Sequence, residues 1–269
     1  MPSSPLNEGT AIGAGTLTTA ANTLGPPPPG YVSGDEYDMF KARAQAIMPG
    51  RFGSRFQDFI GGSLERFVGG AGQTISQLTT GPCGGGNETI ALAAGAANFE
   101  YETFSNPFNN TPVTLFSSIS LSPWYVGTKA TIVSIGGASE IGLCGLYNSA
   151  FAFGATDGAG GQYLSLGIDL ATSSTNLVIR NYQGGGIMVP RITALPIELG
   201  IERTWELGNN GSGKLSMLRD GVVMDTYNDL TFLTFMYSGS ASFLRYTRSN
   251  TTGTPNMSYD WYGACFQRR

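Results

Sequence analysis

The sequence predicts a mainly β, antiparallel fold of sandwich or barrel type, preceded by an extended N-terminal arm and two short helices. Three observations carry this. From about residue 88, short runs rich in Thr, Ser, Val, Ile and Phe alternate with clusters of Gly, Asn, Asp and Pro, the rhythm of strands joined by turns. Glycine is abundant, at 39 of 269 residues, about twice the ordinary share of ~7%. Helical periodicity is confined to the stretch before residue 70.

Residues 1–32 form the arm. They are small and polar, and they run into Pro26, Pro27, Pro28 and Pro29, a stiff polyproline II segment that cannot hold a core of its own. Two readings stay open for it: a disordered tail, or an arm that orders on a neighbouring subunit, its prolines reducing the entropy lost on docking. Residues 33–80 read as a helical anchoring segment. Ser33 with Glu36 makes a capping box and Val32 with Tyr37 a hydrophobic staple. Tyr37, Phe40, Ala44 and Ile47 then share one face until Pro49-Gly50 ends the helix. A second helix is predicted from Ser54 with Gln57, with Phe56, Phe59, Ile60, Leu64 and Phe67 along its face and Gly61-Gly62 weakening it. So much exposed Phe needs something to pack against, and closed symmetric self-association is one way to supply it.

Residues 81–269 read as the β-domain. The clearest strand is Ile197 to Leu207, where Ile197, Leu199, Ile201, Trp205 and Leu207 point one way and Glu198, Glu202, Thr204 and Glu206 point to solvent. The clearest hairpin turns at Asp220-Gly221, a type I′ signal. A two-residue loop pairs Met217 with Met224 and Leu215 with Thr226 on one face, Ser216 with Asp225 and Lys214 with Tyr227 on the other.

Composition excludes several chemistries. The chain has no histidine, so no Ser-His-Asp or Cys-His nucleophile can be built and no imidazole can bind zinc. With 15 Lys+Arg against 19 Asp+Glu and the basic residues scattered, there is no stripe for a nucleic-acid backbone. Cys83, Cys144 and Cys265 are odd in number and widely spaced, and are read as reduced thiols. The N-terminus lacks the basic start and apolar core of a secretory signal, and no run has the ~20 apolar residues of a membrane span. Asp157-Gly158 and Asp169 are too few for a calcium site, so no metal and no cofactor is expected. Glu198, Glu202 and Glu206, four residues apart and so ~13 Å along a strand, are too far apart to serve as a glycosidase pair.

The runs FSSISLSPWYVGTKATIVSIGG, QYLSLGIDLATSSTNLVIRNYQGGG, IERTWELGNNGSGKLSMLRDGVVMDTY and SYDWYGACF resemble successive strands of a laminin-G or concanavalin-like jelly roll, with Trp124, Trp205 and Asp220-Gly221 at the matching places. The resemblance implies an antiparallel jelly-roll sandwich of two sheets and a carbohydrate- or protein-binding role. Trp205, in phase with the apolar set, is assigned to the core, whereas Trp124, Tyr182 and Tyr227 lie beside turns or on polar faces. Together with Asp225 they form the expected ligand-binding set.

Arm, Phe-rich helices and jelly roll in this order also resemble virion proteins of tailed bacteriophages, and Ala46-Ile47-Met48-Pro49-Gly50 before an amphipathic helix resembles the start of some baseplate proteins. That resemblance implies a tail-fibre or baseplate-peripheral subunit whose jelly roll meets a host-surface glycan or protein, with a capsid decoration protein as the alternative and a polysaccharide-cleaving enzyme third. It further implies assembly in the virion as a trimer, anchored to other virion proteins through Pro26 to Pro29, Tyr37, Phe40, Phe56, Phe59 and Phe67, with neither enzymatic activity nor membrane insertion.

Overall fold

The computed structural model describes residues 34–48, 50, 52–57, 73–78, 87–92, 98–102, 123–136, 139–148, 162–183, 187–211, 214–228, 241–249 and 255–267. Among them are one helix, α1 (Gly34–Ile47), and strands β1 (Phe52–Gln57), β2 (Gln73–Leu78), β3 (Asn87–Leu92), β4 (Asn98–Glu102), β5 (Trp124–Ser134), β6 (Ser139–Asn148) and β7 (Gln162–Asp169). The series continues with β8 (Asn176–Gln183), β9 (Ile187–Pro196), β10 (Glu202–Asn209), β11 (Leu215–Arg219), β12 (Val222–Tyr227), β13 (Ala241–Ser249) and β14 (Asn256–Gln267). The arm, including Pro26 to Pro29, lies outside the described residues, as do Phe59 and Phe67.

The strands form two antiparallel sheets. One has eight strands in the order β12-β11-β10-β5-β14-β3-β2, with β1 also on β14; the other has six, β4-β13-β6-β7-β8-β9. Between the sheets lies the main core: Trp124, Val126, Ile132, Trp205, Leu207 and Met217 from the first meet Ile141, Leu146, Leu164, Leu166, Ile168 and Ile179 from the second. Trp205 is in the core as expected. Trp124 is there too, fully buried, and not at the surface. Its alternation with Val126 along β5 puts both on the inner face, which proximity to a turn does not reveal.

A second, smaller core covers the outer face of the eight-stranded sheet. Phe40, Ala44 and Met48 pack on Tyr125, Leu218, Trp261 and Cys265, with the Phe40 ring 5.3 Å from Tyr125 and 5.4 Å from Trp261. The sheet is recessed to receive the helix, since a Cβ on Gly127 would come within 3.2 Å of Phe40 and one on Gly208 within 2.9 Å of Ile47. The helix stops before Pro49 as predicted, and Gly50 takes a positive φ of 122°. Its Phe40 is therefore spent inside the chain, and the argument for self-association loses that exposed ring.

Residues expected to open a second helix form β1 instead. Phe52 to Gln57 pair with Gln267 to Tyr262 along β14. A six-residue ladder satisfies more backbone groups than a weak cap at Ser54 can, so the long-range pairing overrides the local signal. Phe56 stands opposite Gly263 in that ladder.

The strand predicted from residue 197 begins only at Glu202. Gly200 has φ +69°, which breaks the extended run, and Leu199 makes only an isolated parallel bridge to Ile132. Glu198 therefore leaves the expected row and pairs with Arg203 and Arg219. Asp220 and Gly221 both have positive φ, 52° and 79°, as a type I′ turn requires. Beside the turn the pairing is the predicted one, Leu218 with Val223, but a bulge after Met217 shifts the rest to Met217 with Asp225 and Leu215 with Tyr227.

Candidate functional site

Strands β6, β7 and β8 are consecutive in the chain and adjacent in the sheet. Their apolar residues Ile141, Leu164, Leu166, Ile168, Leu177 and Ile179 face the main core. The intervening residues Glu140, Tyr163, Ser165, Asp169, Val178 and Arg180 therefore occupy the outer face. An arginine in the middle of that face is a conspicuous expense, because a guanidinium withdrawn from water must be repaid by charges of opposite sign. Arg180 is only 2% exposed, and its Nη1 is paired with Glu140 while its Nε lies 3.6 Å from Asp169.

The register explains how these groups meet. Glu140 stands opposite Asp169, and Ser165 opposite Arg180, with the glycine pair Gly142 and Gly167 between the two rows. A bulge between Gly142 and Cys144 draws the strands together there, so that a Cβ on Gly167 would sit 1.9 Å from the Ile141 carbonyl oxygen. Asp169 also shapes the turn into β8: Oδ1 accepts from the Ala171 amide at 3.1 Å and Oδ2 from the Thr172 hydroxyl at 2.9 Å. Asp169 is buried at the end of β7. The cluster carries two carboxylates and one guanidinium on a rigid sheet, and it can hold a polar ligand through fixed hydrogen-bond donors and acceptors. Among the described residues no group of three His, Cys, Asp or Glu side chains is arranged to hold a metal ion.

A second charged cluster lies under α1. Glu206, fully buried although expected at a solvated face, accepts from Arg43 Nη1 at 2.8 Å and from the Gly221 amide at 3.1 Å. Burial raises its pKa above the ordinary carboxylate value against the pull of Arg43 and a hydrogen bond with Tyr125. Burial likewise pushes up the Tyr125 hydroxyl and the Cys265 thiol, the latter to about 12. Lys129 joins Glu36 of the helix to Asp260 at 2.7 Å and Glu202 at 3.2 Å. Although burial opposes its charge most strongly, Asp260 and Glu36 together raise its pKa. These groups fasten the helix to the sheet.

The expected ligand set is not brought together. Trp124 is in the core. Asp225 is half-buried and committed at the seam between the edge strands: Oδ2 accepts from the Ala194 amide of β9 at 3.0 Å and Oδ1 from the Thr226 amide at 2.8 Å. Tyr227 is part of the same seam, with Arg191 stacked 3.9 Å from its ring centre. Of Tyr182 the structure describes the strand pairing, opposite Tyr163 of β7. Among the expected anchors, Tyr37 bonds Ser54 and lies under Lys41, 4.2 Å from its ring centre. Arg180 and Glu140 were missed. The available signal was a single Arg at an alternate position of the apolar run NLVIRNYQ.

No protein-family model and no curated protein matches the chain. Solved structures do. A protein of unknown function from Shewanella oneidensis MR-1 is similar over 90% of this chain and 99% of its own, at 11% identity and a TM-score of 0.56. The cellulose-induced protein Cip1 is similar over 78% and 96%, at 11% identity and 0.52. The family 7 alginate lyase A1-II′ is similar over 67% and 80%, at 9% identity and 0.46. At such identities these likenesses show the fold, a β-sandwich of jelly-roll type. The neighbours are named for alginate lyase activity and for induction by cellulose, and none of these three is named as a virion protein. The tail-fibre and capsid readings, and with them the expectation of no enzymatic activity, are corrected on that ground.

Proposed function

We propose that this chain is a polysaccharide-recognising protein whose ligand lies on the outer face of the six-stranded sheet. The observation that carries the reading is the Glu140–Arg180–Asp169 group on that face, in which Arg180 and Asp169 are buried and Glu140 keeps 18% of its side chain open to solvent. The core between the sheets gains nothing from it, since it lies on the opposite side of β6, β7 and β8 from Leu164, Leu166 and Ile179. A buried ion pair contributes little to stability and costs desolvation, so its place on the side of the sheet away from the core argues for recognition. Polyhydroxylated chains suit such a group, because a sugar hydroxyl can donate to the part-exposed carboxylate of Glu140, which Arg180 holds in place.

The test is affinity electrophoresis of the full chain through gels containing soluble polysaccharides, with the same incubations assayed for new chain ends. Retardation is expected, and Glu140→Gln should weaken it about tenfold or more, the worth of a hydrogen bond to a charged group. Arg43→Gln, under the helix on the other sheet, should leave it unchanged. Retardation equally lost in both variants, or by neither, would contradict the placement. New chain ends, lost in Glu140→Gln, would extend the role from binding to cleavage.

A further inference from the structure

We infer that the polysaccharide taken by this face is uncharged, so that polyuronates and other polyanionic glycans are refused. The inference rests on the proposed function and adds the class of ligand. To bind a polyanion, a surface must present more cation than anion and present it to solvent. Among the described side chains of this group the opposite holds. Glu140 and Asp169 outnumber Arg180, which leaves the described group with an excess of negative charge. Arg248 of β13 stands opposite Glu140 in the strand register.

Access is the second argument. The one guanidinium in the group is 2% exposed, with its Nη1 and Nε both directed at carboxylates, so a uronate would have to displace Glu140 or Asp169 to reach it. Arg191, at the edge of the sheet, is stacked on Tyr227. The chain as a whole is acidic, with a formal net charge of −4. An incoming polyanion therefore meets repulsion at long range and, among the described side chains of this group, a cation already held by two carboxylates, whereas hydroxyl groups meet the part-exposed Glu140 carboxylate.

The experiment compares neutral polymers with acidic ones, one pair of them on a shared cellulose backbone. Hydroxyethylcellulose is set against carboxymethylcellulose, and galactomannan against polygalacturonate and alginate, each in affinity gels at about 20 mM and about 500 mM salt, where screening changes from weak to nearly complete. The expected result is retardation by at least one neutral polymer, changing less than about twofold between the two salts, with no retardation by any acidic one at low salt. Retardation by an acidic polymer as strong as or stronger than by the neutral ones would overturn the inference while leaving polysaccharide recognition standing. Retardation by none of the five would instead overturn the proposed function itself. Glu140→Lys provides a second arm: by reversing one charge it should admit carboxymethylcellulose at low salt only, and if its unfolding temperature shows that it does not fold, the salt series on the unaltered chain decides alone.

Discussion

Glu206 shows how far a single residue's role depends on what lies above it. On a bare strand its alternation with Trp205 and Leu207 places it toward water, and that much was legible in the sequence. The helix that covers it, ending in Ile47, is far away along the chain, so no strand periodicity could report the burial. Its titration supplies a prediction. Because burial raises its pKa above the ~4.3 of an exposed glutamate, the folded chain holds that proton more tightly than the unfolded one. Its contribution to stability is present below about pH 4 and is lost as pH rises through the raised value. Glu206→Gln has no such proton, so the difference in urea midpoint between variant and parent should move in the variant's favour from about pH 4 to about pH 8. A difference that stays constant with pH would mean that Arg43 compensates the buried charge in full. Arg180 teaches the complementary lesson: a lone Arg in an apolar run is visible in sequence, but its partners Glu140 and Asp169 come from two other strands, and only the ladder brings them to it.

Elements were legible where their signals are local. The first helix was, because its period and its Pro49 stop lie within the segment itself, and so was the Asp220-Gly221 turn, because both residues accept positive φ. What local signals did not hold was the bulge after Met217, which moves Asp225 away from Ser216, and the pairing of β1 with β14 in place of a second helix. Both are set by contacts between distant strands. The helix nevertheless proved to be a part of the sandwich and not a free anchor. Phe40→Ala should accordingly cost about 3–5 kcal/mol in urea unfolding, as for other fully buried phenylalanines, with polysaccharide retardation unchanged at temperatures where the variant is folded. A cost below about 1 kcal/mol would mean that the helix is only loosely seated.

At the scale of the whole molecule the two outer sheet faces divide the work. One is occupied by α1, which the Arg43–Glu206 and Lys129 pairs fasten there; the other carries the Glu140–Arg180–Asp169 group on the side away from the core. The sandwich itself could be read from turns and alternation, whereas the choice between its faces could not, because it depends on which of them the helix covers. The most direct measurement is hydrogen exchange of the full chain with and without saturating hydroxyethylcellulose, resolved by peptide. Slowed exchange concentrated between Ser139 and Gln183, with α1 and β10 to β12 unchanged, is the predicted result. Slowed exchange over α1 and β10 to β12 instead, or no change at any peptide under conditions where the polymer retards the protein, would contradict the placement of the ligand on the six-stranded sheet.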